Sequence, residues 1–367
     1  MQKKINVGVL FGGKSAEHII SIKSAKNIVE GLDKNKYNAI LIGVDQNGSW
    51  FYIKDENKLL EPSTVFDFTI NESIALHIVP GHKTQPIQAT KATANFPKVD
   101  VVLPIIHGPY GEDGALQGLL KLVNLPFVGA SVLGSAVGMD KEVMKRLLRD
   151  AGIKSARYQC FTLGNRTEIN YKAIEAKLGL PLFIKPANMG SSIGITKVNE
   201  AKDFDAAIDL AFKFDRKIII EEQIEGRELE CALLGNYDVK ASTMGEVVQV
   251  DEKHGFYSYQ AKYFDADGAV IQIPATLTDV QIKAIQQIAI KTYTTLCCEG
   301  LARVDVFLTK NDAIYVNEIN TLPGFTNISM YPKLWEVDGI SYAQLLDQLI
   351  ELAIARSKEE NALSTVV

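Results

Sequence analysis

RVDVFLTKNDAIYVNEIN, residues 303–320, reads as two β-strands joined by a tight turn. Residues 303–308 and 315–320 each alternate polar or charged with apolar side chains, the period of a half-buried strand. Asn311 and Asp312 both tolerate positive φ and suit a two-residue hairpin loop. Counting outward from that loop sets Asp305 opposite Glu318 and Arg303 opposite Asn320. Side chains two apart share a face. These four therefore predict a polar face, and Val304, Val306, Leu308, Tyr315 and Ile319 predict the core face.

Two carboxylates directly opposed on a sheet repel each other. A cation between them explains such a pairing; an ordinary solvated hairpin face is the competing reading. Asp305, Glu318 and the amide oxygen of Asn320 form an all-oxygen ligand set, which suits Mg²⁺. Mg²⁺ held by few protein carboxylates is usually shared with nucleotide phosphates. After Asn320, TLPGFTNISM turns at Pro323-Gly324 and offers Thr, Asn and Ser donors, a polar loop leaving the edge of the proposed metal site.

The 367 residues predict two or three domains. Hydrophobic content of 47% and charged content of 23% describe a soluble globular chain. A net charge of −5 gives no electrostatic case for nucleic acid or an anionic membrane surface as a partner. Cys160, Cys231, Cys297 and Cys298 show no metal-binding spacing and read as reduced core thiols of a reducing compartment, which predicts a cytoplasmic protein. MQKKINVGVLFGG has a short apolar run that continues into a glycine turn, a first strand rather than a signal peptide. No segment has the apolar length of a membrane span.

The N-terminal third alternates strands and helices. INVGVLFGG is a strand, residues 21–32 a helix, NAILIGVD a second strand, VDVVLPIIHG another, GALQGLLKLVN a helix and PFVG a short strand. This βαβ rhythm predicts a parallel sheet covered by helices, with function at the carboxyl ends of its strands. The polar clusters GGKSAEH (residues 12–18) and HGPYGEDG (residues 107–114) both fall there. Gly8 to Ser15 matches the P-loop pattern G-x-x-x-x-G-K-S. The mechanism needs a flexible loop between the glycines, whereas Val9, Leu10 and Phe11 read as the strand itself, so the match is rejected.

Asp140 caps and Gly152 ends a predicted helix, DKEVMKRLLR, whose Lys141 and Lys145 share a face and read as surface lysines. In PLFIKPANMGSSIGITKV, residues 181–198, two apolar strands flank a Gly/Ser loop. Such a loop offers free backbone N–H groups and hydroxyls to an anion, and Lys185 ends the strand before it. IIIEEQIEGRELECALLG follows, with Glu221, Glu222, Ile224 and Glu228 as candidates to line a nucleotide pocket. Residues 250–269 have no clean period and predict a lid. Residues 277–298 and 341–356 predict helices.

Together, the lysine strand with its Gly/Ser loop, the acidic strand and the late R-x-D…N-E-x-N hairpin resemble the ATP-grasp ligases. GGKSAEH, HGPYGEDG, MDK, FIKPANMGSSIG, QAKY, RVDVFL and NEINTLPGFT further resemble the D-alanine–D-alanine ligase family, in order and over essentially the whole chain. Ile19 and Ile20 depart from the acidic residue and Val more common there; Glu17 is unaffected. The resemblance implies an α/β chain with an ATP-grasp fold and an N-terminal Rossmann-like parallel-sheet domain. The expected division is residues 1–138, then a central lobe 139–228 and a C-terminal lobe 229–367 carrying the lid.

The activity implied is ATP-dependent ligation of two D-alanines through a D-alanyl phosphate, for peptidoglycan precursor synthesis. Phosphoryl transfer needs charge neutralisation and alignment. The resemblance assigns these to Lys141, Lys185, Lys262 and two Mg²⁺ or Mn²⁺ ions on Asp305, Glu318 and Asn320. Ser192, Glu221, Glu222, Ile224 and Glu228 complete the implied ATP site. Glu17 is implied to bind the first substrate's ammonium and His107 to lie near its carboxylate. Arg303 and the Gly324 N–H form the implied oxyanion site, and Ser329 and Met330 take the second carboxylate. Ser191 and Tyr263 join Glu17 in a hydrogen-bond network. Tyr263 after a lysine resembles the D-alanine-using members, since a neutral phenol does not repel an incoming ammonium as a cationic imidazole does. The family habit implies a homodimer. A ligase taking D-lactate or D-serine, and a nucleotide-binding protein without turnover, remain the alternatives.

Overall fold

The structure is a computed structural model describing residues 3–60, 68, 73–82, 84–91, 93–249 and 269–364. Lys262, Tyr263 and segment 250–268 of the predicted lid lie outside the described residues. The described chain is mixed α/β and holds three sheets.

The first sheet contains β1 (Ile5–Gly12), β2 (Tyr37–Val44), β3 (Trp50–Ile53), β4 (Ile74–Ile78), β5 (Ile87–Ala89) and β6 (Val101–Pro104), in the order β5-β4-β3-β2-β1-β6. Only β2, β1 and β6 run parallel; β3, β4 and β5 add on antiparallel to their neighbours. The strands read from the sequence therefore pair in parallel as expected, and three further antiparallel strands make the sheet mixed. The connection from β2 to β3 is a tight turn in which Asp45 accepts from the amides of Asn47 and Ser49. A parallel pair needs a crossover of a dozen residues or more. Val9, Leu10 and Phe11 are fully buried inside β1, which confirms the rejection of the P-loop match. Phe127 of PFVG makes a single bridge to Val102.

The second sheet is antiparallel, in the order β7-β10-β8-β9, from β7 (Tyr158–Thr162), β8 (Leu182–Pro186), β9 (Thr196–Val198) and β10 (Lys217–Glu222). The third is also antiparallel: β11 (Arg227–Gly235), β12 (Lys240–Gln249), β13 (Ala269–Gln272), β14 (Gly300–Leu308) and β15 (Ile314–Asn320), in the order β13-β12-β11-β14-β15.

The helices are α1 (His18–Gly31), α2 (Glu56–Leu60), α3 (Ala115–Leu122), α4 (Val132–Met139), α5 (Lys141–Asp150), α6 (Tyr171–Leu178), α7 (Phe204–Phe212), α8 (Asp279–Thr295), α9 (Met330–Val337) and α10 (Tyr342–Ala362). α6 and α7 bury Ile174, Phe204 and Ile208 against Ile184, Ile218 and Ile220 of the second sheet. One face of the third sheet packs Cys231, Val304 and Val306 on α5 and α8. Its other face is apolar at one end, where Ala232, Leu234 and Leu301 join α9, α10 and the first sheet in one core. Among the described residues no helix is long and apolar enough to cross a membrane. Cys231 and Cys298 are buried, but Cys297 is exposed, against the expectation of four core thiols.

The 303–320 hairpin has the predicted pairs, Arg303 with Asn320 and Asp305 with Glu318. Its turn differs. Asp312 N donates to Thr309 O and Thr309 N to Ala313 O, so the loop is the three residues Lys310 to Asp312, with Asp312 at φ 58°. A one-residue loop extension shifts every later pair. A bulge on β15 between the Val306–Val316 and Asp305–Glu318 pairs restores the register. The bulge also reassigns the faces: Ile314 and Val316 are buried in the core, while Tyr315 is only half-buried and lies beneath Lys154.

Candidate active site

A cavity of about 610 Å³ opens between the second and third sheets, a volume typical of a small-ligand site. Residues 223–226 carry the chain from β10 in one sheet to β11 in the other and form part of its wall. The Gly/Ser loop forms another wall, with Ser191 and Ser192 both at positive φ, 51° and 58°. Its start is pinned by Asp215, which accepts from the Asn188 backbone and side-chain nitrogens at 2.7 and 2.9 Å.

Lysines converge on this cavity. Asp140 caps α5 as expected, accepting from the amides of Glu142 and Val143. Lys141 and Lys145, however, are buried, at 7% and 1% exposure, and the surface-lysine expectation is corrected. The packing of α5 against the second and third sheets turns that helix face inward. Lys141 donates to Met189 O at 2.8 Å and lies 3.2 Å from Glu318. Glu221 is shared: one oxygen lies 2.9 Å from Lys145 and the other 2.7 Å from Lys185. Burial by itself raises the Glu221 carboxyl, and the two ammonium groups outweigh it and hold its pKa at about 2. Burial likewise opposes the charge on Lys185, but Glu221 raises it above the ordinary lysine value.

At the polar end of the third sheet, Glu230, Asp305 and Glu318 stand in register on β11, β14 and β15. Arg303 lies among them. It donates to both Asp305 oxygens at 2.7 and 2.6 Å and lies 2.8 Å from Glu230. Burial disfavours its charge, and Asp305 and Glu230 raise its pKa well above the ordinary value. The opposed carboxylates are thus compensated by Arg303 on one side and Lys141 on the other. Among the described residues no group of three or more His, Cys, Asp or Glu side chains is placed to hold a metal ion. Asp305 and Glu318 bring carboxylate oxygens to the cavity wall, and Asn320 follows two residues after Glu318 on β15, its Oδ1 accepting from Leu322 N at 3.0 Å.

The loop after β1 meets the Gly/Ser loop. Glu17, 6% exposed at the start of α1, accepts a hydrogen bond from Ser191 Oγ. His107 is 4% exposed, with Nδ1 3.2 Å from Leu322 O and 3.4 Å from Glu112. Burial lowers its pKa, but the Glu112 hydrogen bond and the Glu112 and Glu17 charges outweigh this and raise it. The loop after Asn320 is held by Asn27 and Tyr342, both donating to Phe325 O. Within it Ser329 Oγ accepts from Thr326 N at 3.0 Å and fills the space a side chain at Gly324 would need.

The fold therefore gathers Glu17 with Ser191, Lys141 with Glu318, Lys185 with Glu221, and His107 with the 321–329 loop. Ser192, Ile224 and Glu228 line the cavity. Glu222 lines it too, but its carboxylate is taken by the Arg157 guanidinium and backbone N–H. The Met330 side chain is core, leaving only its backbone for a ligand. Sequence pattern alone singles out neither Glu112 nor Glu230, and it places Lys145 only on the surface. Lys145 stands one helical turn from Lys141, Glu112 sits inside HGPYGEDG, and Glu230 shares the alternating face of Glu228 in RELE.

The chain matches the sequence profile described as D-ala D-ala ligase N-terminus over residues 6–130 and that described as D-ala D-ala ligase C-terminus over residues 147–351. It is 50% identical to D-alanine–D-alanine ligase A of Escherichia coli K12 over 367 residues, all of both chains. It is 51% identical to the D-alanine–D-alanine ligase of Shouchella clausii over 370 residues, covering 100% of this chain and 99% of that one. The solved D-alanine–D-alanine ligase from Coxiella burnetii superposes with a TM-score of 0.87 at 40% identity, covering 98% of this chain and 96% of that chain. The VanG D-Ala:D-Ser ligase from Enterococcus faecalis gives 0.85 at 36% identity, covering 96% and 100%. With both profiles in chain order, and full-length identity near half, this chain belongs to the D-alanine–D-alanine ligase family.

Proposed function

We infer that the protein joins two D-alanine molecules into D-alanyl-D-alanine at the expense of ATP, supplying a peptidoglycan precursor. The observation that carries this reading is one cavity that brings Lys141, Lys185, Asp305 and Glu318 to a common wall, beside the Glu17–Ser191 contact. A carboxylate resists attack by an amine. Transfer of the ATP γ-phosphoryl to the carboxylate of the first D-alanine gives an acyl phosphate and ADP. The free amine of the second D-alanine attacks that carbonyl, inorganic phosphate leaves, and the amine's extra proton is lost.

In this reading Lys141 and Lys185 meet the phosphates, and Ser192, Glu221, Glu222, Ile224, Glu228 and Lys262 complete the nucleotide site. Glu17 holds the first substrate's ammonium, with His107 near its carboxylate. Arg303 and the Gly324 N–H stabilise the tetrahedral oxyanion. Ser329 and the Met330 backbone hold the second carboxylate. Asp305, Glu318 and Asn320 would hold two Mg²⁺ or Mn²⁺ ions, whose chemistry is to neutralise phosphate charge. The reading includes an ATP-grasp arrangement of the second and third sheets, the three-part division at 138 and 228, a homodimer and a cytoplasmic location.

Phosphate release from ATP should depend on D-alanine, and mass spectrometry should find D-alanyl-D-alanine. A mixed assay with D-serine or D-lactate tests the acceptor. Dominance of either alternative product would overturn the choice of D-alanine. ATP binding without D-alanine-dependent phosphate release would overturn the enzyme reading.

A further inference from the structure

Lys185 and Glu221 line the cavity. Lys145 stands behind them, 1% exposed and 5.8 Å from the centre of the Tyr158 ring. Its ammonium lies 2.9 Å from Glu221 Oε1, while Lys185 lies 2.7 Å from Glu221 Oε2. Burying an ammonium is costly, and a buried ion pair can often be exchanged for apolar side chains with little loss of stability. Burial indeed pulls the Lys145 pKa below its ordinary value, against the attraction of Glu221 and with help from the charges of Lys185 and Lys141. Stability therefore gives weak grounds for a lysine at this position, and its geometry gives better ones.

A carboxylate free to rotate can turn both oxygens onto one ammonium and cancel its charge. Lys145 occupies Oε1 of Glu221 and leaves only Oε2 to Lys185. Two lysines then share one carboxylate, so the group of three keeps one net positive charge, and Lys185 presents it to the cavity. We propose that Lys145 is a positioning residue for nucleotide phosphate: by holding Glu221 it keeps Lys185 under-compensated and aimed at the phosphates. This rests on the ATP-dependent reading above and deepens it.

The test uses the full-length protein, with ATP and adenosine affinities measured by titration calorimetry beside steady-state kinetics. Lys145→Met should weaken ATP at least tenfold and adenosine less than threefold, because adenosine has no phosphate. KM for ATP should rise correspondingly, while kcat and KM for D-alanine stay within threefold. In a Glu221→Gln background Lys145→Met should have no further effect on ATP, since Lys145 acts through Glu221. That comparison removes both buried charges and keeps the proposal falsifiable if the single variant fails to fold. ATP affinity within twofold of wild type in folded Lys145→Met would overturn it. So would equal losses for ATP and adenosine, or an undiminished loss in the Glu221→Gln background. Wild-type protein that binds no ATP would overturn the functional reading as well, whereas normal wild-type binding with an unaffected variant overturns this inference alone.

Discussion

Arg303 is held between two carboxylates, with its planar guanidinium matched to both oxygens of Asp305 and its Nε also close to Glu230. Removing one partner from such a buried group leaves uncompensated charge, at a cost of about 3–5 kcal/mol. An oxyanion donor contributes about a hundred- to a thousandfold in rate. Arg303→Ala should therefore lower kcat by at least that factor and also lower the urea midpoint, with a smaller change in KM for ATP; an unchanged kcat would reduce Arg303 to structure. Glu221 carries a second prediction. Its folded pKa of about 2 lies below the ordinary 4.5, so its ionised form favours the folded state above about pH 4.5. That contribution is lost as pH falls from 4.5 toward 2. Denaturant midpoints measured from pH 5 to 2 should fall less steeply in Glu221→Gln than in wild type, and parallel curves would contradict the pairing with Lys145 and Lys185.

At the scale of elements, the hairpin of β14 and β15 and the start of α5 carry the site. Glu318 reaches the cavity because the bulge on β15 offsets the three-residue loop. It is half-buried and pairs with Lys141, so its loss should disturb chemistry more than folding. Glu318→Ala should abolish turnover with a thermal midpoint near that of wild type; retained activity at ordinary Mg²⁺ would remove Glu318 from the reaction. Asp140 caps α5 through the amides of Glu142 and Val143 and pairs with Lys217. Loss of an aspartate cap costs about 0.5–2 kcal/mol, and Asp140→Ala should show a loss of that size in urea unfolding. Because Lys141 is the first residue of α5, the same change should raise KM for ATP.

Across the whole molecule, α10 locks the C-terminal part of the chain onto the first sheet. Its Leu345, Leu346, Leu349 and Ile350 share a core with Val7, Val9 and Phe11 of β1. Arg356, 6% exposed, donates to Gly129 O at 2.6 Å and Phe127 O at 2.8 Å and lies over the Phe127 ring. Two carbonyls left without a donor cost about 1–3 kcal/mol each. Arg356→Met should therefore destabilise the fold by about 2–6 kcal/mol in chemical denaturation. An unchanged midpoint would show that the apolar core alone holds α10 in place. Glu17 and Ser191, 174 positions apart, meet only when the first sheet and the Gly/Ser loop are held this way.

Local pattern determined much of this in the sequence itself. The alternation in RVDVFL and NEIN fixed the two strands and their polar face, Asp140 marked a helix start, and buried Val-Leu-Phe excluded a phosphate loop at Gly8. The Asp305–Glu318 pair emerged from counting, although the loop and the bulge each differ by one residue and compensate. The Asn47-Gly48 turn was also there to be read and predicts the antiparallel β3 that makes the first sheet mixed. Tertiary structure alone decided the rest. Periodicity gives a helix face but not what that face meets, so Lys141 and Lys145 looked like surface lysines until the two sheets enclosed them. Glu230 joined Asp305 and Glu318 because β11 lies beside β14, a pairing between strands some seventy residues apart. No local rule ranks such a pairing, since it follows from the burial of whole sheet faces against one another.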